Sequence, residues 1–134
     1  MGMNRAIEMH RASRKVPLRQ VVEILDAEII FNAADLDTEI HAVCSSDLMS
    51  DLLHFSTVPR SVLITGLVNI QVVRTAEIAD IKAIVFVLGK RPDSETTALA
   101  REKGVTLLVT LLSRFTSCGR LYAHGMRSCT EDKR

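Results

Sequence analysis

AIVFVL, residues 83–88, decides the fold. Every position is apolar, and a strand turns successive side chains to opposite faces, so the run needs cover on both sides. A half-solvated antiparallel strand would alternate apolar with polar residues. The stretch is therefore expected to be a central parallel strand between two layers of helices. It is also the longest unbroken apolar run in the chain, far short of the roughly 20 residues that cross a bilayer as a helix.

Strand-and-helix units extend outward from it on both sides. Upstream, Asn69 caps a helix reaching about residue 80, with Val72, Val73, Ala76 and Ala79 inward, and SVLIT (61–65) forms a strand after the break at Pro59. Downstream, Asp93 or Ser94 starts a helix that stops at Gly104 after Arg101 and Lys103. VTLLVT (105–110) is the last strand, and a final helix ending near Gly125 carries Leu111, Phe115, Cys118 and Tyr122 on one face.

Nearer the N-terminus, Pro17 suits the first turn of a helix whose Leu18, Val21, Val22 and Leu25 recur at helical spacing. EIIFN (28–32) and EIHAVCS (39–45) read as strands. The six residues between them are too few for a helical crossover, so the two either pair antiparallel or lie apart. Ser46 or Asp47 then caps a helix bearing Leu48, Met49, Leu52 and Leu53. The whole is expected to be one α/β domain with a largely parallel sheet of about five strands and helices on both faces. A basic lead-in (1–15), frayed or a short helix, precedes the domain at 16–126, and a polar tail (127–134) follows it.

Composition agrees with a single globular unit: 134 residues, 47% hydrophobic and 25% charged. Lys and Arg number 17 against 16 Asp and Glu, without the basic surplus of a nucleic-acid binder. The N-terminus shows no signal-peptide core, and Ala6 stands where a myristoylation pattern needs Ser or Thr. A cytoplasmic protein with reduced thiols at Cys44, Cys118 and Cys129 is expected, since three cysteines cannot all pair in one chain and fit no disulfide framework. No membrane or nucleic-acid partner is expected.

In an open parallel sheet, ligands bind beyond the carboxyl ends of the strands. Four segments should reach that edge: 44–47, 65–69, 89–93 and 110–114. They offer Ser45, Ser46, Thr65, Gly66, Asn69, Gly89, Lys90 and Arg91 as candidate ligand-binding residues. Helix N-termini there favour an anion, and Lys90 and Arg91 add positive charge, which suits a small phosphate-bearing ligand. The plainer reading is that Ser46, Asn69 and Asp93 only cap helices and that Lys90-Arg91 is a solvated turn. Leu67, Val68, Leu111 and Leu112 are apolar in loops expected to be exposed, and are the candidate interface residues.

Other chemistries fail on spacing. Gly89-Lys90 resembles the end of a P-loop, yet Arg91 stands in place of Ser or Thr and Ile84 in place of the leading glycine. His41 and Cys44 are three apart on a strand and face opposite ways, so they cannot share a metal ion. Cys118, His124 and Cys129 fit no zinc module. Cys44 with His54 lacks a third, orienting group, and an Asp47/Asp51 pair at i and i+4 is usually a solvated helix start. No metal, cofactor or catalytic residue is assigned.

From residue 17 to about 126 the sequence resembles the DRTGG domain family. The stretches that carry the likeness are LRQVVEILDAEIIF (18–31), VCSSDLMSDLL (43–53) and, above all, SVLITGLVNIQVVRTAEIADIKAIVFVLGKRPDSETTALAREKGVTLLVT (61–110). The resemblance implies a small α/β regulatory or interaction domain without catalysis, similar to the N-terminal domain of HPr kinase/phosphorylase. Relatives stand alone, beside phosphotransacetylase domains, or between CBS modules of pyrophosphatases, where the domain helps form a dimer. The sequence departs from the family where an Asp-Arg pair is usual, at Gly66-Leu67-Val68, and where Val87-Leu88 replaces Thr-Gly before Gly89.

The functional expectation is thus a non-catalytic regulatory or protein-interaction domain that homodimerises, works with a partner enzyme or regulatory protein and senses a phosphate-containing ligand. The alternative is a nucleotide- or anion-binding sensor using the loops at the sheet edge. A small cytoplasmic enzyme is the distant third.

Overall fold

The computed structural model describes residues 13–33 and 35–130; the basic lead-in up to residue 12 and the tail from 131 lie outside the described residues. Its elements are β1 (Val16–Pro17), α1 (Leu18–Leu25), β2 (Glu28–Phe31), β3 (Glu39–Ile40), β4 (Ala42–Ser45), α2 (Met49–Phe55), β5 (Ser61–Thr65), α3 (Ile70–Ile78), β6 (Ile81–Phe86), α4 (Ser94–Lys103), β7 (Thr106–Val109) and α5 (Arg114–Ala123). Five strands form one sheet in the order β2-β7-β6-β5-β4, and β1 pairs with β3 as a separate two-stranded ribbon. The four strands β4 to β7 are mutually parallel, while β2 runs antiparallel to β7 at the edge.

The two early strands therefore lie apart. EIIFN supplies one edge of the sheet and the second half of EIHAVCS the other, and the chain bends at His41 between β3 and β4. The antiparallel partner of β2 is β7, from the far end of the sequence.

Each step from β4 to β7 moves one strand along the sheet in the same direction. Right-handed crossovers then put all three connecting helices on one face. One buried cluster holds Leu52 of α2, Val72 and Val73 of α3 and Ala100 of α4 against Leu63, Ile84, Phe86 and Leu107. The other holds Leu18, Val21 and Leu25 of α1 and Leu121 of α5 against Val62, Ile64, Val85 and Leu108. From Ala83 onward the side chains alternate: Ile84 and Phe86 enter the first cluster, Ala83, Val85 and, just past the strand, Val87 the second, while Ile81, before a register shift against β5, enters the first. The apolar run is a central strand between two cores, as its composition demands.

The central strand and the last helix differ from the sequence reading. The strand expected at 83–88 spans Ile81–Phe86, because Leu88 and Gly89 take left-handed backbone angles (φ 57° and 67°) and turn the chain away. Leu88 is consequently exposed. Most of the apolar stripe expected for the last helix also faces outward: Leu111, which precedes α5, and Phe115 and Tyr122 are exposed at 84%, 90% and 60%, whereas Cys118 packs against the second cluster and Ser117 and Leu121 form the inner face.

Residues 127–130, read as a polar tail, run along the free edge of β4. The Val43 amide donates to the Arg127 carbonyl and the Cys129 amide to the Val43 carbonyl, each at 2.9 Å. Cys129 is bonded to Cys44 in a disulfide. This corrects the expectation of three reduced thiols: strand order brings together two cysteines 85 positions apart, a pairing that spacing alone could not reveal, and leaves Cys118 as the free one.

Candidate functional site

The carboxyl ends of β4, β5, β6 and β7 lie side by side, so the loops after them share one edge of the molecule. Loops after β4, β5 and β6 lead to helices of one face; the loop after β7 leads to α5 on the other. Arg114, the first residue of α5, returns over this edge to the loop that follows β4.

Asp47 is where these loops meet. One carboxylate oxygen accepts from the buried Thr65 hydroxyl and from the Gly66 amide, both at 2.8 Å. The other meets the Arg114 guanidinium at 2.6 Å. Partial burial raises the carboxyl's pKa, but the Gly66 amide, the Thr65 hydroxyl and the Arg114 charge outweigh it and hold Asp47 below its ordinary value. Lys90 reaches in from the loop after β6, its ammonium 3.4 Å from the Gly66 carbonyl. The donors expected to receive an external anion are thus engaged by a carboxylate of the chain itself.

The loops are built by a repeated local device. Thr65 ends β5 and Thr110 follows β7, and each side-chain oxygen accepts the backbone N–H two residues on, from Leu67 at 3.1 Å and Leu112 at 3.2 Å. Thr110 also donates to the Leu25 carbonyl at 2.7 Å, tying the edge to α1.

The structure brings Thr65, Gly66 and Lys90 together and places Ser45 nearby, on the wall of an open groove of about 550 Å³ shared with Arg114, Phe115, Cys118, Gly119 and Tyr122. It separates Arg91, which turns to β2 and grips Glu28 through both oxygens, at 3.1 and 2.6 Å. Asn69 caps α3 through the Gln71 amide at 3.0 Å. Ser46 closes a local turn on Leu48, and Gly89 supplies a positive φ. Of the apolar loop residues, Leu67 and Val68 pack on one core and Leu112 on the other, each half-buried; Leu111 is exposed.

Sequence reasoning considered Asp47 only as a cap or half of an acidic pair and gave Arg114 no role. The available signal was an acid just beyond the end of a strand, two residues after Ser45, and an Arg opening the last helix; their meeting depends on strand order. The bonds of the cluster run from Asp47 to Thr65, Gly66 and Arg114, not between the two members of an acidic pair. Among the described residues, no group of three or more His, Cys, Asp or Glu could hold a metal ion, and no helix is long and apolar enough to cross a membrane.

Fold and edge together define a three-layer α/β/α sandwich whose loop-rich edge is closed by a buried threonine, an aspartate and an arginine. No family model and no curated protein matches the chain. Among solved structures, it is similar to the CBS and DRTGG domains of the regulatory region of Clostridium perfringens pyrophosphatase, a structure complexed with the activator diadenosine tetraphosphate. The TM-score is 0.64 at 16% identity, over 89% of this chain. The chain spans about half (52%) of that one, and at such low identity the likeness is one of fold.

Proposed function

We propose that the chain is a non-catalytic regulatory and protein-interaction domain that homodimerises and acts on a partner enzyme or regulatory protein. The observation that carries this reading is the closure of the sheet edge by Asp47, which consumes the donors a substrate anion would need, beside large apolar side chains left in solvent. The fold shared with a regulatory region of a pyrophosphatase supports it. Membership of the DRTGG family is part of the proposal, as is a cytoplasmic location.

A second reading, a sensor of a small phosphate compound, is favoured by Lys90. Its ammonium faces a carbonyl instead of a carboxylate, at the same edge as the Thr65 hydroxyl and the Gly66 amide. An arriving phosphate would displace the Asp47 carboxylate and take over its donors together with Lys90.

One melting experiment tests both. Self-association raises the melting temperature as protein concentration rises, and a ligand of the native state raises it by mass action. The first reading predicts a concentration-dependent melt; a melt independent of concentration contradicts it. The sensor reading predicts a shift with millimolar nucleotide that Lys90→Ala removes; no shift with any nucleotide or inorganic phosphate contradicts that.

A further inference from the structure

β4 stands at one edge of the five-stranded sheet, where a strand's outward N–H and C=O groups need a partner or remain open to another chain. The segment after Met126 supplies that partner. It runs parallel to β4 at Val43, whose amide donates to the Arg127 carbonyl and whose carbonyl accepts from the Cys129 amide. The Cys129 carbonyl in turn accepts from the Thr57 amide at 2.9 Å, the Val58 amide at 3.2 Å and the Thr57 hydroxyl at 3.1 Å. One short strap thus covers the sheet edge and holds the loop between α2 and β5.

The strap is anchored unequally along its length. At its start, Met126 is 1% exposed in the second cluster, and the Arg127 amide donates to the Ser13 hydroxyl at 3.0 Å. Farther on, Ser128 is exposed and its hydroxyl bonds to that of Thr130. Cys129 alone among residues 127–130 is buried, and its sulfur is bonded to Cys44. A few hydrogen bonds give a small net gain, and ordering the backbone of the strap costs entropy of similar size. The covalent bond therefore decides whether the strap stays down.

We infer that Cys44–Cys129 is a redox latch: a dithiol reductant opens it, releases the strap after Met126, and frees both the β4 edge and the Thr57–Val58 loop while the sheet stays folded. The reductant's thiolate bonds to one sulfur of the pair as the Cys44–Cys129 bond breaks, and the other sulfur leaves as a thiolate and takes up a proton. The reductant's second thiol then displaces the first cysteine. Two electrons and two protons pass to the protein, and the reductant ends as a disulfide; an oxidised dithiol runs the exchange backwards. Cys118 takes no part, because Cys44 and Cys129 lie in the first cluster and Cys118 packs against the second, across the sheet. The latch gives a regulatory domain an input, thiol redox state, and does not depend on self-association.

Amide hydrogen exchange on the full chain, oxidised and after dithiothreitol, tests the latch, with thiols counted by alkylation and intact mass. In the oxidised form the amides of Val43, Thr57, Val58 and Cys129 are protected. In the reduced form they lose nearly all protection, whereas Ile64 and Val85 in the central strands stay protected roughly a hundredfold or more. Cys129→Ser gives the open pattern with or without reductant, and Cys118→Ser still switches. Strap amides that stay as protected as Ile64 after reduction overturn the latch, because hydrogen bonds then suffice to hold the strap. Loss of protection at Ile64 and Val85 together with the strap overturns it as well, since the bond is then a staple of the whole fold. So does a bond that dithiothreitol leaves intact in the folded chain.

Discussion

Asp47 holds together three loops that the sequence separates, and its ionised form makes those bonds. Asp47→Asn keeps the size of the side chain but loses the charge that Arg114 faces, and should cost about 1 kcal/mol, little because the pair is half exposed. Equilibrium urea unfolding checks this. Because folding lowers the Asp47 pKa, its contribution is fully present above the unfolded value near 3.8 and is lost as pH falls through the lower folded value. The wild type should therefore lose more stability than Asp47→Asn as pH is lowered below about 5 in parallel urea titrations. At this scale the sequence showed that Thr65, Gly66 and Lys90 share one edge, because each sits at a strand end or in the following loop. It was not legible for Asp47 and Arg114, because an ion pair between residues 67 positions apart is set by which strands are neighbours.

At the scale of elements, periodicity and capping residues placed α3 and α4, since Asn69, Asp93 and Gly104 act within one turn of themselves; α2 departs from this, its N-cap being Leu48 without a side-chain bond where Ser46 or Asp47 was expected. Gly104 closes α4 at φ 71°, with open space around any added Cβ, so Gly104→Ala should cost about 1 kcal/mol from backbone strain alone. The cost is read from the urea midpoint at unchanged slope. Ile84, fully buried in the central strand, is a packing residue; Ile84→Ala should cost roughly 2–5 kcal/mol in the same assay. The stripe on α5 shows where periodicity stops being informative. It identifies an apolar face at Leu111, Phe115, Cys118 and Tyr122 but cannot say whether that face meets this chain's core or something else. Ser117 and Leu121 take the inner side, Leu121 in the cluster that α1 shares.

For the whole molecule, the disulfide and the topology belong together. Cys44 lies in the edge strand and Cys129 in the segment that covers that edge, so the bond fastens the last described residues onto the sheet. Its closed loop spans most of the chain, and reduction should remove about 4.5 kcal/mol in the loop-entropy account. Intact mass before and after a dithiol reductant, followed by melting of each form, measures this; equal melting temperatures would contradict it. Three-layer architecture was legible from AIVFVL because burial on both faces is written in composition. Strand order, and with it the cysteine pairing and the closed sheet edge, was not, because each depends on contacts between distant segments.

The account stands on the claim that this domain works by contact, first of all with its own copy. Multi-angle light scattering behind gel filtration, on the untagged wild type through a dilution series, tests it directly. The account predicts a mass of twice 14.8 kDa that falls toward the single-chain value on dilution. A mass of 14.8 kDa at every concentration would contradict it.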